Sequence, residues 1–255
     1  MSKSVVVVGI GEMGSVFARG FLRLGYTVHP VIRDREMQAV CGSVEEPELV
    51  LIAVAEADLH DQLKHVPQQW KDKLVLLQNE LLPRDWEQHG LDPTVISVWF
   101  EKKKGMDSKV IMPSPVYGRH AQVVVDALGS IGIPARVLPD ADALLHELVV
   151  KNVYILTTNI AGLKVGGNVG QLWDEHNDTA RAVAGDVIHL QEALTGHQLD
   201  HDALIAGMVE AFDGDREHMC MGRSAPARLA RALMLADEHE LDLGVLKDIS
   251  SSHDN

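Results

Sequence analysis

Val5-Val6-Val7-Val8-Gly9-Ile10-Gly11-Glu12-Met13-Gly14 runs an unbroken apolar stretch into a G-x-G-x-x-G turn near the start of a 255-residue chain. The valines predict a buried strand over residues 5–9. Residues 12–24 then predict a helix that ends at Gly25. A glycine triplet of this kind carries chemistry only where it follows a strand and opens a helix, which is its setting here. Gly9 permits the tight turn, Gly11 lets the backbone approach a pyrophosphate, and Gly14 lets the helix pack close to the strand. Glu12 and Met13 lie on the first helical turn, where unpaired N–H groups and a partial positive charge favour phosphate. Gly9, Gly11, Glu12, Met13 and Gly14 are therefore candidate cofactor-binding residues. A glycine-rich turn without a ligand is the alternative.

The bulk properties narrow the partners. With 23 Lys+Arg against 37 Asp+Glu, the formal net charge is −14, which disfavours nucleic acid and anionic membrane surfaces. The basic run Lys102-Lys103-Lys104 precedes Gly105 between two strand-like segments and reads as a solvated hairpin tip. Cys41 and Cys220 stand in no metal or redox spacing, as suits a reducing cytosol. No signal-peptide pattern opens the sequence, and the valine run is too short to span a bilayer. The expectation is a soluble, cytoplasmic protein.

Strand-like and helix-like segments alternate through the first half. Further strands are predicted over residues 27–33, 48–54, 74–78, 95–100 and 110–112, with a helix over 57–65. This rhythm predicts a doubly wound parallel sheet, interrupted from Ile133-Pro134 to Pro139-Asp140. From Ala141 onward strand alternation is absent. Helices are predicted over residues 141–163, 174–194, 200–213 and 225–239, and the tail 250–255 is expected to fray. The fold class expected is α/β: an N-terminal Rossmann dinucleotide-binding domain over 1–138 and a C-terminal all-helical domain over 139–255, for substrate or dimerisation.

The first helix of the second half carries the chemistry-bearing pattern. Glu147, Lys151, Ile155 and Asn159 recur at four-residue spacing within an apolar segment, and so share a face. A buried lysine loses hydration and either drops its pKa or finds a partner. Two readings stay open. Glu147–Lys151 is a surface ion pair with Asn159 a packing amide, or Lys151 is a reactive ammonium.

The chain resembles the ketopantoate reductases (2-dehydropantoate 2-reductases), within the 6-phosphogluconate-dehydrogenase-like superfamily. Gly9, Gly11 and Gly14 match that family's N-terminal fingerprint. Gly25-Tyr26-Thr27-Val28 leading to Arg33 is similar to its second strand, where an arginine receives the cofactor's 2′-phosphate. Asn79 in Leu76-Leu77-Gln78-Asn79-Glu80 matches the asparagine of its N-G motif, with Glu80 in place of glycine. Glu147-Leu148-Val149-Val150-Lys151 resembles its E-L-x-x-K element, Asn159 follows at the family spacing, and Gly170-Gln171-Leu172 resembles its G-E-L turn. The resemblance implies NADPH-dependent reduction of a 2-keto acid. Lys151 would be the proton donor, Asn159 and Asn79 would orient substrate and nicotinamide, and Arg33 would be cofactor-binding.

Departures accompany the matches. Ile155 stands where the family has a second asparagine, Ala55-Glu56 where it has a lysine, and no acid lies within residues 222–228. A different or simpler substrate is implied. Arg223 and Arg228 are candidates to meet a carboxylate. Arg33 and Arg35 favour NADP, whereas Asp34 leaves NAD as the alternative. Imine reduction and a non-catalytic NADP sensor remain as rival functions, and a homodimer is one assembly the helices allow. No metal site is expected: His197 and His201 are four apart, but no third ligand is fixed by the sequence.

Overall fold

The computed structural model describes residues 3–33 and 36–253. Its contacts divide the chain into two compact units, Met1–Glu147 and Leu148–Asn255.

The first unit is built on β1 (Ser4–Val8), α1 (Glu12–Arg23), β2 (Thr27–Val31), α2 (Met37–Cys41), β3 (Val50–Ile52), α3 (Leu59–Lys64), β4 (Leu74–Leu76), α4 (Pro83–Glu87) and β5 (Thr94–Ile96). It continues through β6 (Phe100–Glu101), β7 (Lys109–Val110), β8 (Ser114–Tyr117), α5 (Ala121–Gly129) and β9 (Ala135–Val137). Seven strands form one sheet in the order β2-β1-β3-β4-β5-β8-β9, and β6 with β7 forms a separate hairpin. β1 lies between β2 and β3, and its four valines are almost wholly buried. Burying each contributes roughly 1.5–3 kcal/mol. Gly25 takes φ +83 after α1, the left-handed conformation expected of it.

Several expectations need correction. The sheet is not wholly parallel. β5 and β8 run antiparallel, so β8 and β9 oppose the other five strands. Pro113 and Pro115 hid β8, and β9 lies within the proline-flanked stretch that reads as a break. β2 ends at Val31 rather than residue 33, and it holds Pro30. An edge strand accepts a proline because one row of its N–H groups has no ladder partner. The segment 95–100 splits into β5 and β6. The tip of the β6–β7 hairpin is only partly solvated. Lys102 is folded back, 19% exposed, with its ammonium 3.4 Å from the Glu12 carboxylate.

α6 (Ala141–Val165) leads into the second unit, followed by α7 (Val169–Glu175), α8 (Asn177–Thr195), α9 (His201–Gly214), α10 (Ala225–Glu238) and α11 (Gly244–His253). α7 is separate from α8, where the sequence suggests one helix starting at 174. Asn168 caps α7 through a reciprocal pair: its side chain accepts from Gln171 N at 2.8 Å, and Gln171 Oε1 accepts from Asn168 N at 3.1 Å. That pair needs only an acceptor oxygen at the third position, which glutamine supplies as well as glutamate. Residues 250–253 are helical rather than frayed, anchored by buried Leu246 and Ile249. Asp254 and Asn255 lie outside the described residues. Among the described residues no helix is long and apolar enough to cross a membrane.

Candidate active site

The glycine turn has the geometry its spacing predicts, with a separate reason at each position. Gly9 takes φ +89, and a Cβ there would stand 2.7 Å from the Ala53 carbonyl oxygen. A Cβ on Gly14 would lie 2.0 Å from the Gly9 carbonyl oxygen, so only glycine lets α1 start so close to β1. A Cβ on Gly11 would meet nothing within 4 Å. The space over Gly11 is open, as close approach of a ligand to the backbone requires. Gly11 also caps α1 and offers no side chain to its first N–H groups. Those donors are left for an anion.

A cavity of about 890 Å3 opens over this turn, lined in part by Gly9, Gly11, Arg33, Ala55, Asp58 and His65. Arg33 is exposed at its wall. Among the described lining residues it alone carries a fixed positive charge. Asp34 and Arg35, which bear on the choice between NAD and NADP, lie outside the described residues. Of the other predicted residues, Met13 packs partly against the core, and Glu12 directs its carboxylate to Lys102. That pairing offsets a negative charge at the helix end where phosphate is expected.

The floor of the cavity after β3 is tied down by a residue the sequence reading passed over. Gln78, 7% exposed, donates from Nε2 to the carbonyls of Ile52 at 2.7 Å and Val54 at 3.2 Å, and accepts from Leu77 N at 3.1 Å. Asn79 follows it, half-buried on the loop after β4 and outside the cavity lining. Glu80 has φ +59, so the residue replacing the expected glycine sits in the conformation that favours glycine.

In the second unit, Lys151 is half-buried on α6, and every residue from 148 to 162 except Lys151 is buried. The Glu147 carboxylate receives a hydrogen bond from Arg136. Asn159 lies two turns beyond Lys151, about 12 Å along the helix axis. Both ends of its amide are used: Nδ2 donates to Ile155 O at 2.9 Å, and Oδ1 accepts from Arg228 Nη1 at 3.1 Å. Ile155 is buried at 7% exposure. Asn159 therefore holds Arg228, a half-buried cation from the first turn of α10. The two side chains are 69 residues apart in sequence, and helical spacing alone does not pair them.

Other candidates resolve simply. Burial pushes the Cys220 thiol up to about 11, so it stays protonated and unreactive. Trp70, Trp86 and Trp99 are buried packing residues, and Trp70 Nε1 donates to Val44 O at 3.1 Å.

The fold is a Rossmann-type α/β unit followed by a helical unit. No family model matches the sequence, and the search of curated proteins gives no match. Solved structures do match over nearly the whole chain. The ketopantoate reductase from Ralstonia eutropha JMP134 shares 13% identity at a TM-score of 0.69, covering 98% of this chain and 97% of its own. The 2-dehydropantoate 2-reductase from Porphyromonas gingivalis W83 shares 14% identity at a TM-score of 0.67, with 100% of both chains covered. A D-mandelate dehydrogenase solved with NADH and anilino(oxo)acetate shares 12% identity at a TM-score of 0.66, covering 97% and 96%. At these identities the similarity establishes the shared fold.

Proposed function

We propose that the chain is an NADP-dependent oxidoreductase resembling ketopantoate reductase, reducing a small 2-keto acid or related carbonyl with Lys151 as proton donor. The observation that carries it is the open backbone of Gly11 at an uncapped helix end inside a cavity of about 890 Å3. Those residues fit a dinucleotide: the first-turn amides of α1 would hold the pyrophosphate, and Arg33 the 2′-phosphate. When bound, NADPH supplies the hydride. In the reduction, charge would develop on the carbonyl oxygen, and the Lys151 ammonium would stabilise that oxygen and donate a proton to it. Water then reprotonates the amine.

Arg228 supplies a reading of the substrate. A guanidinium matches a carboxylate bidentately, and Asn159 fixes its orientation. A cation stands in the segment where the resemblance leads one to expect an acid, which favours an anionic substrate over a hydroxylated one. Arg228→Met is expected to raise KM for the keto acid by about 10–100-fold, the worth of a charged hydrogen bond, with the NADPH Kd unchanged. Steady-state kinetics against fluorescence titration of NADPH checks both. An unchanged KM removes Arg228 from substrate binding.

The NADP assignment rests on Arg33. Arg33→Ala is expected to weaken NADPH binding by about 10–100-fold and leave NADH binding nearly unchanged. A wild-type protein that binds NADH more tightly than NADPH contradicts the assignment. Imine reduction and a non-catalytic sensor are separated from keto-acid reduction by following NADPH absorbance with 2-keto acids and cyclic imines. Turnover with imines alone, or with neither, selects the corresponding rival. A homodimer forms part of the proposal, since the similar Staphylococcus aureus ketopantoate reductase is dimeric; sedimentation velocity checks it.

A further inference from the structure

The connection between α8 and α9 brings together three side chains that the proposed reduction does not use. His189 and Glu192 lie one turn apart on α8, and His201 opens α9. One ligand atom from each lies within 4.8 Å of the other two. Gly196, at φ +70, turns the chain back between them. His201 Nε2 stands 3.2 Å from Glu192 Oε1. The rings of His189 and His201 meet edge to face with centroids 5.4 Å apart. Two donors bound tetrahedrally at about 2.0–2.1 Å from a metal sit about 3.3 Å from each other. The Glu192–His201 edge already has that length.

The groups behind these side chains hold them in place. Leu199 N donates to Glu192 Oε1 at 3.1 Å, and Asp200 caps α9 by accepting from Ala203 N at 3.0 Å. The Leu199 bond to Glu192 is the kind of support that holds ligating carboxylates in known metal sites. His189 completes the set by packing its ring against His201 beside the Glu192 carboxylate. His189 is exposed and the other two half-buried, so an ion can reach them and water can complete its shell. Sequence spacing offers His197 as the partner of His201, but the fold supplies His189 and Glu192 instead.

We propose that His189, Glu192 and His201 form a binding site for a divalent transition metal of the zinc class, joining α8 to α9. Two imidazoles and one carboxylate suit Zn2+, Ni2+ or Cu2+ and are poor for Mg2+ or Ca2+. The test uses the untagged full chain, stripped of metal and titrated with Zn2+ by calorimetry. Co2+ is added in parallel for its tetrahedral absorption bands. One saturable equivalent in the micromolar range or tighter is expected, with Zn2+ raising the Tm. His189→Gln and His201→Gln should each weaken binding by roughly a hundredfold. Glu192→Gln, close to isosteric, should weaken it without loss of helical circular dichroism. His197→Gln should change nothing, and neither should His60→Gln, which breaks the His60–His89 contact elsewhere in the chain. Absence of a saturable equivalent in the wild type, or its survival in the His189→Gln/His201→Gln double variant, overturns the proposal.

Discussion

Lys151→Ala is expected to cut turnover of a 2-keto acid by at least about a hundredfold while NADPH binds almost as before. The reasoning is differential. The dinucleotide is assigned to the glycine turn and Arg33 in the first unit, whereas the ammonium acts on charge that appears only as the carbonyl is reduced. Alanine also strips an aliphatic stem from a helix otherwise buried over residues 148–162. Lys151→Met keeps that stem and removes the charge, so it should lose as much activity with little change in Tm. Lys151→Arg keeps a cation that does not release its proton near neutral pH, and should recover electrostatic stabilisation without proton donation. Turnover in Lys151→Met equal to wild type would assign Lys151 to packing.

The second large effect separates two glycines three residues apart. Gly14→Ala places a Cβ 2.0 Å from the Gly9 carbonyl oxygen, so backbone must move against backbone. The expected cost is at or above the roughly 1–3 kcal/mol typical of overpacking, read as a Tm lower by several degrees and lost NADPH binding. Gly11→Ala meets open space in the folded chain, and its φ of −79° suits alanine. Stability should change by no more than about 1 kcal/mol, the scale of an N-cap substitution. NADPH binding should nevertheless fall by two orders of magnitude or more, because the new methyl occupies the path of the pyrophosphate. Thermal melts with and without NADPH distinguish the two. Retained NADPH affinity in Gly11→Ala would detach the cavity from dinucleotide binding.

What could be read beforehand follows the range of the forces involved. The β1–α1 turn is local, its glycines act within a few residues of one another, and the tight turn at Gly9, the open space at Gly11 and the close packing at Gly14 are legible in the sequence. Four of the six helices from Ala141 onward are legible because strand alternation stops there, whereas α7 and α11 are not. β8 and β9 escaped because prolines mask their alternation and because antiparallel pairing is set by tertiary packing rather than by local pattern. Lys102 reads as solvated from its run of charges, yet Glu12 draws it back. Asn159 was found from spacing along α6, but its partner Arg228 comes from α10 and only folding reveals it. Glu80 shows the opposite case: the substitution stands out in the sequence, while its left-handed backbone needs the structure.

The most direct measurement follows the hydride itself. NADPH deuterated at the transferable C4 position would be incubated with the protein and a panel of 2-keto acids, and the products analysed by mass spectrometry. The account predicts a 2-hydroxy acid carrying one deuterium on its carbinol carbon, formed by the wild type and lost in Lys151→Met. Tight NADPH binding with no deuterium delivered to any 2-keto acid would contradict it.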